Sequence, residues 1–135
     1  MPDEASRVAV IGLGAMGSRI AERLLDSGHE LVVWNRTPGK AESLAALGAS
    51  IAANTAEAAR RAGAVMTMVS DPEALRDVTE GSEGLAAGAT DATTVIQMST
   101  VGPAAVQRLA SILPRGAGLL DAPVLGSWTR PRRGR

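Results

Sequence analysis

Apolar residues along the chain fall into short runs separated by amphipathic stretches. Arg7-Val-Ala-Val-Ile11 is a compact apolar run that stops at Gly12, the pattern of a strand buried on both faces. Ala15 to Ser27 follows with Ile20 and Leu24, and Ala21 and Leu25, at helical spacing, and Gly28 stands where a helix-stopping glycine belongs. Leu31–Trp34 reads as a second strand and Pro38–Leu47 as a second helix, with Pro38 near its start and Gly48 just past its end. A short strand at 50–52 and a helix at 55–62 precede a fourth strand at 64–69. A helix at 72–79, a loose stretch at 80–90, a strand at 94–98, a helix at 103–113 and a strand at 118–121 continue the alternation.

Strands that alternate with helices predict parallel β-α-β units, and right-handed crossovers assemble them into a doubly wound α/β sheet. The pattern stops after Ser127. The expected organisation is therefore one domain over residues 6–127 and an unstructured Arg/Pro-rich tail over 128–135.

Composition narrows the chemistry. The 135 residues include no cysteine and one histidine, which excludes thiolate chemistry, disulfides and a multi-histidine metal centre; no metal site is expected. Phe and Tyr are absent, so a base-stacking nucleic-acid platform has almost no material. Four of the 14 basic side chains, Arg130, Arg132, Arg133 and Arg135, lie in the last eight residues, so the first 127 carry 10 basic against 14 acidic groups, a net of −4. The tail reads either as the product of a truncated reading frame or as a basic segment that contacts an acidic partner. No apolar run approaches the roughly 18–20 residues that span a bilayer, and the acidic N-terminus does not read as a signal peptide. A cytoplasmic location with neither membrane nor nucleic-acid partners is expected.

Gly12-Leu13-Gly14-Ala15-Met16-Gly17 matches G-x-G-x-x-G, directly after a predicted strand and at the start of a predicted helix. In such a turn the first glycine permits the bend, the second lets the backbone approach a pyrophosphate, and the third lets the helix pack close. Asn35-Arg36-Thr37 ends the second strand, where NAD sites usually carry an acid for the ribose 2′-OH. Here no acid is adjacent; Arg36 offers a planar fork and Thr37 a hydroxyl to a 2′-phosphate, unless Arg36 is a solvated loop cation. NADP (NADPH) is the expected cofactor, with NAD as the alternative. Val69-Ser70-Asp71, Ser99-Thr100 and Asp121-Ala122-Pro123 end the later strands on the same side of the sheet. Asp71 reads equally as a helix cap, and so does one of Ser99 and Thr100 before Pro103. His29 reads as a surface turn residue.

These segments, with Val8–Gly17, Gly28-His29, Trp34–Thr37, Ser99–Pro103 and Asp121–Val124 in order, resemble the N-terminal cofactor domain of the β-hydroxyacid dehydrogenases. That family includes 3-hydroxyisobutyrate dehydrogenase, 2-hydroxy-3-oxopropionate reductase and, more distantly, 6-phosphogluconate dehydrogenase and imine reductases. The resemblance covers about residues 6–127. It implies a Rossmann domain in which Gly12, Leu13, Gly14, Ala15, Met16 and Gly17 hold the pyrophosphate. It further implies that Asn35, Arg36 and Thr37 bind the adenosine ribose and its 2′-phosphate. Val69, Ser70, Asp71 and Thr100 would flank the nicotinamide, and Ser99, Val124, Leu125 and Gly126 the substrate. Gln97, Leu125 and Ser127 depart from the family pattern, which has Asp, Ser and Gly there. The family's catalytic Lys lies on a later helix; the lysine of this chain is Lys40, so no catalytic residue is assigned.

The reading that follows is the cofactor domain of a 3-hydroxyacid dehydrogenase-type oxidoreductase, inactive alone, that meets a small-molecule substrate only when its pocket is completed. The alternatives are a non-catalytic NADP(H)-binding module that needs a partner chain, an imine reductase-type cofactor domain, or a nonfunctional fragment. Self-association through an exposed interdomain face is expected of the isolated chain.

Overall fold

The computed structural model describes residues 7–123. The expected tail at 128–135 and the substrate candidates Val124, Leu125 and Gly126 lie outside the described residues. The elements run β1 (Val8–Ile11), α1 (Ala15–Asp26), β2 (Leu31–Trp34), α2 (Pro38–Ala45), β3 (Ser50–Ile51), α3 (Thr55–Arg60), β4 (Ala64–Thr67), α4 (Pro72–Thr79), α5 (Leu85–Gly88), β5 (Thr94–Gln97), α6 (Pro103–Ile112) and β6 (Gly118–Asp121). All strand pairs are parallel, in the order β3-β2-β1-β4-β5-β6. This is the doubly wound Rossmann-like sheet that the alternation predicts. The chain builds outward from β1 to β3, then crosses back to lay β4 on the other side of β1. That reversal opens a crevice at the carboxyl ends of β1 and β4.

Both sheet faces are packed, which is why the strands read as continuous apolar runs rather than alternating ones. Ala9, Ile11, Val32, Val65 and Val95 pack with the small residues of α3 and with Leu75, Val78, Leu85 and Leu109. Val10, Leu31 and Val33 point to the opposite layer, where Leu13, Ala21, Ala41 and Leu44 cover them. Farther along that face Met66, Ile96 and Leu120 lie in register; the first two are half-buried and Leu120 is 55% exposed. An apolar surface thus remains at the β6 edge, the kind of face that invites association.

Local stops behave as the residues dictate. Gly28 takes φ +88° after α1, and the N–H groups of Gly28 and His29 donate to the Leu25 and Leu24 carbonyls, each at 3.0 Å. His29 is exposed in that turn, as expected. The expected loose stretch at 80–90 is corrected in part: it holds α5, a single turn packed on α3. A Cβ on Gly88 would come within 1.9 Å of the Ala56 carbonyl oxygen, so this contact needs glycine. Among the described residues no helix is long and apolar enough to cross a membrane.

Candidate functional site

The glycine-rich turn sits at the reversal point, and its three glycines are constrained differently. Gly12 adopts φ +98°, and a Cβ there would lie 2.0 Å from the Met68 carbonyl oxygen. The turn after β1 is therefore pressed against the loop after β4. A Cβ on Gly17 would lie 2.0 Å from the carbonyl oxygen of Gly12, so α1 closes directly onto its own turn. Gly14 has φ −67° and ψ −169°, and nothing lies within 4 Å of the position its Cβ would take. Its neighbours do not require glycine; the open space beside it does, if a ligand occupies that space.

The turn is anchored from both sides. Leu13 is fully buried, and its N–H donates to Asn35 Oδ1 at 2.8 Å. The Asn35 amide nitrogen donates in turn to the Thr37 carbonyl and to Thr37 Oγ1, each at 3.1 Å. Ser18 Oγ donates to the Leu13 carbonyl at 2.9 Å. Asn35 thus ties the end of β2 to the glycine turn, a positioning role that sequence spacing alone did not distinguish from ligand contact. No side chain caps α1 at Gly14 and no acid stands in its first turn, so the N–H groups of Ala15, Met16 and Gly17 keep their capacity to donate. With the positive end of the helix dipole, they form an anion-binding cradle.

A cleft of about 420 Å³ opens above this turn. Gly12, Leu13, Gly14, Met16 and Gly17 form its floor, Trp34, Asn35, Arg36 and Thr37 one wall, and Met68, Val69, Ser70, Ala74 and Val78 the other. Its size suits a small-molecule ligand. A dinucleotide diphosphate fits the donor set: unpartnered first-turn N–H groups, an open glycine and a guanidinium at the rim. A smaller recess of about 230 Å³ continues past Met16, Met68, Val69 and Ser70 to Met98, Ser99 and Thr100. Ser70 and Thr100 are exposed there and Ser99 is buried.

Ser99 does not cap α6. Gly102 does, at φ +87°, so the capping alternative is set aside for Ser99. Ser99 Oγ instead accepts the Val69 N–H at 2.8 Å and holds the loops after β4 and β5 together. Behind it lies Gln97, fully buried. Its Oε1 accepts the Ser99 N–H at 2.6 Å, and its Nε2 donates to the Ser99 carbonyl at 2.8 Å and to Asp121 Oδ1 at 3.0 Å. Gln97 was legible only as a departure from a family pattern; its clamp on Ser99 and Asp121 depends on the β5–β6 register.

Asp71 is brought to α4 as its cap, accepting the Ala74 N–H at 2.8 Å, and lines neither recess. Ala15 likewise contributes backbone rather than lining. The absence of an acid beside Arg36 is true of the sequence and is corrected in space: Arg36 Nη2 lies 3.2 Å from Asp77 Oδ2 of α4. Away from the cleft, the hydrogen bond from Arg108 holds the Glu80 carboxyl below the usual glutamate range; burial opposes this, and the charges of Arg108 and Arg76 add to it. Among the described residues no cluster of three or more His, Cys, Asp or Glu is placed to hold a metal ion.

The sequence pattern of the NAD binding domain of 6-phosphogluconate dehydrogenase matches residues 7–135. The uncharacterized oxidoreductase YfjR of Bacillus subtilis is 41% identical over 121 residues, covering 89% of this chain and 42% of that protein. The 3-sulfolactaldehyde reductase of Escherichia coli is 37% identical over 118 residues, 87% of this chain and 40% of that protein. Cytokine-like nuclear factor N-PAC of Danio rerio is 37% identical over 122 residues, 90% of this chain and 26% of that protein. The chain thus spans less than half the length of these relatives. Among solved structures, Psf3 in complex with NADP+ and 2-OPP superposes with a TM-score of 0.79 at 32% identity, covering 88% of this chain and 43% of that one. An imine reductase from Myxococcus stipitatus with NADP+ gives 0.78 at 27% identity, covering 90% and 42%. The 3-hydroxyisobutyrate dehydrogenase of Mycobacterium tuberculosis with L-serine gives 0.77 at 29%, covering 90% and 41%.

Proposed function

The chain belongs to the family of the NAD binding domain of 6-phosphogluconate dehydrogenase, and from that premise we propose that its cleft binds NADP(H) and presents the nicotinamide for hydride transfer. It is the NAD(P)-binding domain of an oxidoreductase of the hydroxyacid dehydrogenase and imine reductase type. The observation that carries the proposal is the open cradle at Gly14, with first-turn donors below it and Arg36 at its rim.

In this reading the diphosphate rests on Gly14, Ala15, Met16 and Gly17, and Asn35 keeps the turn in shape from behind. Arg36 and Thr37 take the 2′-phosphate. A charge-assisted hydrogen bond contributes about 1.5–3 kcal/mol, which favours NADPH over NADH by roughly 10- to 150-fold. Val69, Ser70 and Thr100 flank the nicotinamide end, with Asp71 setting the loop by capping α4. Bound there, the nicotinamide supplies or accepts a hydride. Ser99 lies toward a small hydroxy acid or aldehyde acid.

A general acid/base is not among these groups. Lys40 lies on α2, outside the cleft lining. Loss of a positioned acid/base slows such chemistry by about 10²–10⁴, so turnover calls for such a group beside the nicotinamide, supplied from outside the described cleft lining. A cytoplasmic setting accords with the absence of cysteine. An imine as the substrate is the second reading, supported by the likeness to imine reductases. Calorimetric titration with NADPH and NADH is the test: saturable binding that favours NADPH is expected, and a folded chain that binds neither overturns the proposal.

A further inference from the structure

We infer that Asp77 is a specificity-determining residue, a built-in competitor for Arg36 that sets how strongly the cleft prefers a 2′-phosphorylated adenosine. The inference rests on the cofactor reading above. Arg36 Nη2 and Asp77 Oδ2 are 3.2 Å apart although 41 residues separate them in sequence. The pair links the loop after β2 to α4 across the mouth of the cleft. Arg36 lines the cleft that holds the glycine turn, Asp77 lines an adjoining recess of about 340 Å³, and Trp34 lines both.

That recess also carries Glu80 and Glu83. Glu80 is bonded to Arg108 instead. Asp77 is thus the carboxylate that holds the guanidinium in the free chain. The two side chains are 68% and 56% exposed. An exposed pair of this kind is weak, so a phosphate carrying nearly two negative charges displaces Asp77 from Arg36. The displaced carboxylate stays on the same rim and repels the newcomer. A cofactor with a plain 2′-OH leaves the pair intact and feels neither effect. Asp77 therefore lowers NADPH affinity selectively and moderates the preference that Arg36 creates.

The test is calorimetry of the full chain with adenosine 2′,5′-bisphosphate, 5′-AMP, NADPH and NADH. Asp77→Asn is expected to tighten the two 2′-phosphorylated ligands by about two- to fivefold, the equivalent of an exposed ion pair, and to leave 5′-AMP and NADH unchanged. Asp77→Ala, which also removes the acceptor, should do at least as much. In an Arg36→Ala background the gain should shrink, and rising ionic strength should shrink it too. An unchanged ratio between phosphorylated and unphosphorylated ligands in both variants overturns the role of Asp77 and leaves the cofactor reading standing. A parent chain that binds none of the four overturns both. Asp77 is exposed on its helix, so thermal melts of both variants should match the parent.

Discussion

Replacing Gly14 with alanine separates a glycine kept for a ligand from a glycine kept for the fold. At φ −67° and ψ −169° an alanine is unstrained, and no atom lies within 4 Å of the new methyl group. Stiffening the unfolded chain favours the variant by about 0.4–1 kcal/mol, and the poorer capping propensity of alanine takes back a similar amount. The net change in stability is therefore within about 1 kcal/mol, and Tm should move by less than roughly 6 °C. Binding is another matter. The methyl group occupies the space where a diphosphate would meet the first turn of α1. Loss of even one hydrogen bond to a charged oxygen costs about 1.5–3 kcal/mol, roughly 10- to 150-fold in Kd. Calorimetric titration with NADPH and a thermal scan on the same preparation read both quantities. A variant that binds like the parent refutes the cradle, and one that melts far below the parent refutes the claim that Gly14 is dispensable to the fold.

Gly17→Ala should do the opposite: its Cβ meets the Gly12 carbonyl oxygen at 2.0 Å, and overpacking of about 1–3 kcal/mol exceeds any gain in helix propensity, so a thermal scan should show a clear drop in Tm. Arg36→Ala should weaken NADPH roughly 10- to 150-fold while sparing NADH; equal loss for both removes the assignment of Arg36 to the 2′-phosphate. The Glu80–Arg108 pair predicts a pH effect. Its lowered carboxyl pKa makes its stabilisation full above the ordinary glutamate value of about 4.3 and lost as pH falls through the lower folded-state value. Glu80→Gln should therefore flatten that part of the acid limb in a pH series of melts, and an unchanged limb contradicts the pairing.

The parts of the fold that the sequence made legible are those set by local pattern. Val8–Ile11 and Leu31–Trp34 announce buried parallel strands because both of their faces are apolar. The G-x-G-x-x-G turn is legible because its three glycines fall within six residues between a strand and a helix. α5 was not, because Leu85–Gly88 is one turn with a glycine at its end, held by the burial of Leu85 and the close approach of Gly88 to Ala56. The same divide runs through the site. Asp71 looked equally like a cofactor neighbour and a cap, and the Ala74 N–H bond makes it a cap. One of Ser99 and Thr100 looked equally like a cap and a pocket residue, and Ser99 Oγ accepts the Val69 N–H instead of capping α6. The contacts of Asp77 with Arg36 and of Gln97 with Asp121 carried no local signal: the first depends on where α4 packs and the second on the β5–β6 register.

The central claim is that the diphosphate of NADP(H) lies on the first turn of α1. The most direct measurement is an amide-resolved NMR titration of the isotopically labelled chain with NADP+. The account predicts saturable shifts concentrated at Gly14, Ala15, Met16 and Gly17, with a second group at Arg36 and Thr37 that is absent when NAD+ is used. Shifts centred away from the first turn of α1, or none at all from a folded chain, would contradict it.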